Sequence, residues 1–100
     1  MKTVSPEELN AWMKDNTSFM LIDVREGWER EAYNIGGEHI PLGDVMLRRN
    51  EIPFDKPVVI YCEKGIRSSI IIQRLEGIGF NNLYNLSGGM SGWKKSFGLS

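Results

Sequence analysis

Apolar residues along the chain occur in short segments that alternate with polar and turn-forming residues. In the first segment Leu9, Trp12 and Met13 recur at helical spacing, so they predict the buried face of an amphipathic helix. Residues 5–8, Ser-Pro-Glu-Glu, provide an N-cap, a proline at the first helical position and the glutamate of a capping box. The pattern therefore predicts a helix that begins after Ser5.

Four short segments predict strands from their apolar, β-branched and aromatic residues. They cover residues 19–22, 38–42, 58–62 and 83–86. The first is continuously apolar, which is typical of a strand covered on both faces in a parallel sheet. The second contains Pro41, which suits an edge strand or the end of a strand. The third, Val-Val-Ile-Tyr-Cys, is the clearest of the four.

Helical segments are predicted between and after these strands. They cover residues 28–32, 43–50 and 68–76, and a last helix follows the turn at 87–89. Strands that alternate with helices imply an α/β domain with a mostly parallel sheet and helices on both faces. A length of 100 residues is that of one domain, so we expect a single domain over residues 1–100.

Large apolar side chains on the predicted helices are expected to form the core. The helix at 68–76 directs Ile71, Ile72 and Leu75 inward, and the glycines that follow end it. The three tryptophans are predicted to pack in the core or between helices rather than to form a binding surface. They are Trp12, Trp28 and Trp93.

Composition and charge exclude several classes of function. A net charge of −1 gives no general electrostatic case for binding nucleic acid or an anionic membrane. No apolar run approaches the roughly 18 residues that a membrane span requires, and the first residues do not resemble a signal peptide. We therefore expect a cytoplasmic protein. With one cysteine and one histidine, neither an internal disulfide nor a structural zinc site is expected.

The cysteine, Cys62, lies at the carboxyl end of the clearest predicted strand, where open parallel sheets bind ligands. A lone cysteine is commonly an inert core residue, but the loop after this one is unusual. Gly65 allows the backbone to curl, so successive N–H groups can form an anion-binding nest at the start of a helix. Lys64 and Arg67 add positive charge. These features favour a thiolate, which is a nucleophile for covalent transfer.

Residues 62–68, Cys-Glu-Lys-Gly-Ile-Arg-Ser, resemble the active-site loop of the rhodanese sulfurtransferases. Residues 21–29 are similar to the first signature of that family, and residues 79–93 are similar to its last. The three motifs occur in order and cover nearly the whole chain. The resemblance implies a three-layer α/β/α fold with a five-stranded parallel sheet, in the strand order 1-5-4-2-3.

The resemblance also implies a two-step transfer of sulfur. The Cys62 thiolate attacks the sulfane sulfur of an anionic donor such as thiosulfate, becomes a persulfide, and passes the outer sulfur to cyanide, a thiol or a protein acceptor. In the family the amides of the loop hold the persulfide. Here those amides belong to Glu63, Lys64, Gly65, Ile66, Arg67 and Ser68. No metal or organic cofactor is implied.

Two alternatives remain open. The family includes phosphatases whose loop is Cys-x5-Arg, and a phosphatase or arsenate reductase is therefore a candidate. The spacing here, Cys62-x4-Arg67, is one residue shorter and favours sulfur over phosphate. Rhodanese-like domains also serve as interaction modules without turnover, although an intact Cys62 with a basic loop weighs against that interpretation.

Several other positions bear on the site. Asp23 and Arg25 end a predicted strand at the functional edge of the sheet, and we expect them to join loops rather than contact substrate. Glu63 and Lys64 either tune the choice of donor or are ordinary residues of a loop tip. His39 is interpreted as a strand residue without a link to the cysteine.

The chain also departs from the family pattern. Residues 33–38 are shorter than the usual segment and lack its histidine, and Ile71 stands where an alanine is frequent. Neither departure removes a group that the chemistry requires.

Overall fold

A five-stranded parallel sheet forms the centre of the molecule. The structure, a computed structural model of the chain, describes residues 1–99. The strands are β1 (Lys2–Val4), β2 (Met20–Asp23), β3 (Glu38–His39), β4 (Val58–Tyr61) and β5 (Leu83–Leu86). Their spatial order is β1-β5-β4-β2-β3, and every neighbouring pair is parallel. The expected α/β class, the parallel sheet and the strand order are confirmed.

Four helices connect the strands: α1 (Pro6–Lys14), α2 (Gly27–Ala32), α3 (Ile66–Gly77) and α4 (Gly89–Ser96). The predicted start of α1 is confirmed, because the hydroxyl of Ser5 accepts the N–H of Glu8 and the carboxylate of Glu8 accepts the N–H of Ser5. Two 3-10 turns, Leu42–Asp44 and Arg49–Glu51, lie between β3 and β4.

The sheet separates two apolar cores. On one face α3 and the 3-10 segment cover a cluster that includes Val58 and Ile60, while on the other α1 and α4 cover one that includes Val59 and Tyr61. Successive residues of β4 enter opposite cores because strand side chains alternate between faces. This arrangement is the expected three-layer α/β/α fold, and it explains why β4 is apolar throughout.

Some predicted boundaries were wrong. Helix α3 begins at Ile66 rather than Ser68, because Gly65 takes a left-handed conformation (φ +89°) and starts the helix sooner. The predicted helix at 43–50 is replaced by the two 3-10 turns, and the edge strand predicted at 38–42 is limited to β3. Strand β1 was not predicted from the residue pattern, since two of its three residues are exposed.

The expected role of Trp28 was also wrong. Its side chain is 73% exposed, whereas Trp93 is buried and Trp12 packs against the core that contains Trp93. Trp28 lies on α2, which has no buried residue, so this helix contributes no side chain to either core.

The helices of residues 1–99 include none that is both long enough and apolar enough to cross a membrane.

Core packing predicts a clear difference between two neighbouring isoleucines of α3. Ile72 is fully buried, whereas Ile70 is 48% exposed. We expect Ile72→Ala to lower the free energy of unfolding by about 2–5 kcal/mol, because it leaves a cavity in the core. Ile70→Ala should change it by about 0.5 kcal/mol or less. Urea denaturation of both variants tests this, and equal losses would contradict the layer assignment.

Candidate active site

Cys62 directly follows β4, which lies in the middle of the sheet between β2 and β5. It stands at the base of an open pocket of about 390 Å³, and only 1% of the residue is accessible. The pocket is lined by Glu29, Cys62, Glu63, Lys64, Ile66 and Arg67. Five of the candidate site residues therefore lie around one cavity, and a reagent has to enter it to meet the sulfur.

The remaining two candidates, Gly65 and Ser68, contact the sulfur itself. The amide N–H of Gly65 donates to Sγ of Cys62 at 3.1 Å, and that of Ser68 donates at 3.4 Å. The positive φ of Gly65 turns its N–H inward, and glycine adopts that conformation without strain. The amides of Ile66 and Arg67 belong to the first turn of α3, where N–H groups have no acceptor within the helix.

Asn85 of β5 orders the loop from below, and the sequence analysis did not assign it a role. Its Nδ2 donates to the Gly65 carbonyl at 3.0 Å, which leaves its Oδ1 to accept the Ser68 hydroxyl at 2.6 Å. Because Ser68 has one hydroxyl proton, its oxygen turns lone pairs toward Sγ of Cys62, 3.3 Å away. In this arrangement the two amides are the donors to sulfur.

The carbonyls of the loop point away from the pocket, toward the start of α4. The N–H of Met90 donates to the Cys62 carbonyl at 2.9 Å, and that of Ser91 donates to the Glu63 carbonyl at 2.9 Å. Gly89 makes this approach possible, because a Cβ there would lie 2.5 Å from the Cys62 carbonyl oxygen. The turn at 88–89 thus fixes which way the backbone of the loop at 62–68 faces.

Asp23 and Arg25 form a buried ion pair behind the loop. Arg25 Nε lies 3.0 Å from Asp23 Oδ1, and both side chains are at most 1% exposed. Arg25 also donates to the Glu63 carboxylate at 3.2 Å and to the Tyr33 carbonyl at 2.7 Å. The pair therefore connects the end of β2 with two loops. The second oxygen of the Glu63 carboxylate accepts the hydroxyl of Ser91 at 3.0 Å.

The short segment at 33–38 is held by its backbone carbonyls. Arg30 donates to Gly37 at 2.8 Å, and the Tyr61 hydroxyl donates to Gly36 at 3.1 Å. His39 lies in β3, and its Nε2 is 2.6 Å from the Arg25 carbonyl. These contacts secure the segment without the histidine of the family pattern.

Glu29 of α2 binds Arg67 of α3 across the mouth of the pocket. The two Nη atoms of Arg67 donate to the two carboxylate oxygens of Glu29 at 2.7 and 2.8 Å. Hydrogen bonding from the guanidinium lowers the pKa of Glu29 to about 2 and raises the pKa of Arg67. Sequence reasoning missed Glu29, because no local signal connects residues that are 38 positions apart.

Lys64 is the remaining charged side chain of the pocket. It is exposed at the tip of the loop, and in the described part of the chain no carboxylate forms a salt bridge with it. Residues 1–99 also contain no cluster of three or more histidine, cysteine, aspartate or glutamate side chains that could hold a metal ion.

The contact at Gly89 predicts a steric penalty. Gly89→Ala would place Cβ against the backbone of Cys62 at a positive φ, and we expect it to lower the free energy of unfolding by about 1–3 kcal/mol or more. Gly77→Ala is the matched control, since nothing lies within 4 Å of a Cβ there. Chemical denaturation should show a loss for the first variant alone, and equal stabilities would refute this close contact.

The ion pair at Glu29 predicts a dependence of stability on pH. Because the pKa of Glu29 is depressed from 4.5 to about 2, its stabilisation is complete above about pH 4.5 and is lost as the pH falls toward 2. The difference in Tm between the wild type and Glu29→Gln should therefore shrink between about pH 6 and about pH 3. Glu31→Gln, on the exposed side of α2, should show no such trend. A constant difference for Glu29→Gln would argue against the ion pair.

Comparison with known proteins finds relatives that the chain matches over most of their length. An uncharacterised protein of Bacillus subtilis, YqhL, is 43% identical over 94 residues, covering 93% of this chain and 72% of its own. The thiosulfate sulfurtransferase GlpE of Actinobacillus pleuropneumoniae is 31% identical, covering 93% of this chain and 86% of its own.

Longer relatives contain the same unit within a larger protein. The chain spans 24% of a probable adenylyltransferase/sulfurtransferase of Mycobacterium tuberculosis, MoeZ, at 30% identity. It spans 29% of a tRNA uridine(34) hydroxylase of Bdellovibrio bacteriovorus, at 32% identity. Relatives thus include sulfurtransferases together with proteins of other function.

The fold agrees with solved structures. A rhodanese-like domain protein of Staphylococcus aureus superposes with a TM-score of 0.85 at 26% identity, over 93% of this chain and 91% of that one. The family model described as the rhodanese-like domain matches residues 5–96. Since that match includes all five candidate pocket residues and the whole sheet apart from β1, the chain belongs to the rhodanese-like domain family.

Proposed function

We propose that this protein is a sulfurtransferase that carries a sulfane sulfur as a persulfide on Cys62. The observation that carries the proposal is the pair of amide N–H groups, from Gly65 and Ser68, that donate to the Cys62 sulfur at the base of an open pocket. Fixed donors of this kind stabilise negative charge on sulfur without reorganisation. The similarity to thiosulfate sulfurtransferases supports the same chemistry.

The proposed reaction has two balanced steps. The Cys62 thiolate attacks the outer sulfur of thiosulfate or a persulfide, so that a new S–S bond forms and the donor's S–S bond breaks. The electron pair of that bond leaves on sulfite or on the donor thiolate. An acceptor nucleophile such as cyanide or a thiol then takes the outer sulfur, and its attack regenerates the Cys62 thiolate. The transferred sulfur keeps its oxidation state in both steps, so neither step requires an external oxidant.

The loop residues have separate roles in this proposal. Cys62 is the catalytic residue, and the backbone from Glu63 to Ser68 forms the cradle for donor and persulfide. Side-chain contacts of Glu63 with Arg25 and Ser91 hold the loop in place. Because the working group is a free thiol, the proposed site of action is the reducing environment of the cytoplasm.

The contacts of Arg67 weigh against a phosphatase. Phosphoryl transfer requires cationic groups directed at the equatorial oxygens of the transferring group. Here both Nη atoms of Arg67 are bonded to Glu29 instead. This contact adds to the shorter spacing between the cysteine and the arginine as a reason to favour sulfur.

Intact-mass spectrometry tests the proposal. The protein is incubated with thiosulfate or with N-acetylcysteamine persulfide, beside Cys62→Ser. We expect the wild type to gain one sulfur atom and to lose it to cyanide with formation of thiocyanate. The Cys62→Ser variant should show neither change. Since the chain has a single cysteine, any gain reports on that position.

The opposite outcome is equally informative. If neither donor adds sulfur while iodoacetamide shows Cys62 to be reduced and accessible, the sulfurtransferase proposal is wrong. An interaction module then becomes the better interpretation, and Cys62→Ser should leave its partner binding unchanged. Hydrolysis of a phosphate-ester dye that is lost in Cys62→Ser would instead favour the phosphatase alternative.

A further inference from the structure

We infer that Glu29 sets the charge of the donor that this site accepts: by neutralising Arg67, it makes the pocket favour the uncharged persulfide of a thiol over the thiosulfate dianion. This inference rests on the proposed sulfurtransferase function and names the class of its donor. It assigns Glu29 as a positioning residue, because the carboxylate acts through Arg67.

The first step concerns the charge around the pocket. The active-site loop alone contributes Glu63, Lys64 and Arg67, which sum to one positive charge. Helix α2 adds the carboxylate of Glu29, so the four charged side chains of the lining sum to zero. Arg25, the cation behind Glu63, is already paired with the buried Asp23.

The second step concerns the direction of the guanidinium. An arginine binds an oxyanion most strongly through two parallel N–H···O bonds, and its Nη atoms supply the fork for that contact. In this structure both Nη atoms of Arg67 lie within 2.8 Å of the carboxylate of Glu29. A sulfonate group that enters the pocket therefore has to compete with a bound carboxylate for the same donors.

The third step concerns the donors. Thiosulfate brings two negative charges toward a thiolate, and the neutral lining does not offset that repulsion. An alkyl persulfide reacts as RSSH, which is uncharged, and its carbon chain can contact Ile66, an apolar side chain of the lining that is 66% exposed. In that reaction the donor's S–S bond breaks and RS⁻ leaves. The proton stays on the sulfur now attached to Cys62.

The test measures second-order rate constants of sulfur loading on Cys62 by quenched-flow intact mass, with thiosulfate and with N-acetylcysteamine persulfide. We expect the wild type to load faster from the persulfide. Glu29→Gln should raise the thiosulfate constant by about tenfold at low ionic strength, because the lining then carries one positive charge. It should leave the persulfide constant within about twofold at a fixed pH, because the form of that donor that the thiolate attacks, RSSH, is uncharged.

Three controls separate charge from structure. Glu31→Gln makes the same chemical change on the exposed side of α2 and should alter neither constant. The double variant Glu29→Gln/Arg67→Gln should return the thiosulfate constant toward the wild-type value, because the lining is neutral again. Circular dichroism verifies that each variant is folded.

The dependence on salt is a second test, which compares the wild type with Glu29→Gln. Screening weakens repulsion as well as attraction, so the wild-type constant for thiosulfate should stay level or rise with ionic strength. In Glu29→Gln the lining offsets the thiolate, so the rise with ionic strength should disappear. A wild-type constant that falls steeply with salt would mean that Arg67 attracts the dianion despite Glu29, and the inference would be overturned.

The outcomes also distinguish this inference from the function on which it rests. Failure of both donors to load Cys62 refutes the sulfurtransferase proposal itself. Efficient loading from both donors at similar rates, with no change of their ratio in Glu29→Gln, leaves the sulfurtransferase intact and refutes the role of Glu29 alone.

Discussion

The direction of the peptide groups between Cys62 and Ser68 depends on bonds made outside the pocket. The N–H and the C=O of a peptide unit point in opposite directions. The N–H groups can therefore face the sulfur only if the carbonyls have hydrogen-bond partners on the other side of the loop. The first turn of α4 supplies two of those partners, through the amides of Met90 and Ser91. Asn85 supplies a third by binding the Gly65 carbonyl. The inward orientation of the N–H groups therefore depends on β5 and α4 as much as on the loop.

A second layer of polar contacts fixes the loop from the side of β2. Burying the charges of Asp23 and Arg25 has a large desolvation cost, which their mutual contact and their extra hydrogen bonds offset. Removing either partner of such a pair costs about 3–5 kcal/mol, because a buried charge is left behind. Arg25 of this pair also binds the carboxylate of Glu63. A residue that lines the pocket is thus oriented by an ion pair that is itself buried.

The sequence predicted the apolar elements well, because burial leaves a pattern. Strand β4 enters both cores and is continuously apolar, and β5 was predicted with its observed limits. Strand β1 has one buried residue and therefore no pattern to detect. Trp28 was predicted, from its side chain alone, to pack in the core or between helices. It is exposed because α2 has no buried residue and is held by the ion pairs of Glu29 and Arg30.

The sequence predicted only those parts of the candidate site whose residues are close together along the chain. The loop at 62–68 is continuous in sequence, and its glycine, cations and cysteine could be interpreted together. The ion pair between Glu29 and Arg67 joins two helices, and the hydrogen bond between Ser68 and Asn85 joins a helix to a strand. Such contacts depend on how the layers pack, which residue spacing does not encode. Asn85 could have been suspected as a polar residue within an otherwise apolar strand, since such residues need buried partners.

The pairing of β1 with β5 has a consequence for the order in which the molecule is completed during synthesis. Thr3 is in register with Asn85, which binds the Gly65 carbonyl of the loop at 62–68. Contacts between residues so far apart in sequence require a costly loop closure and form slowly. On the ribosome the first strand has no partner until residues 83–86 have emerged. The core beneath α1 and α4 is therefore completed after the loop at 62–68 has been translated, and until then Leu9 and Trp12 are exposed on the nascent chain.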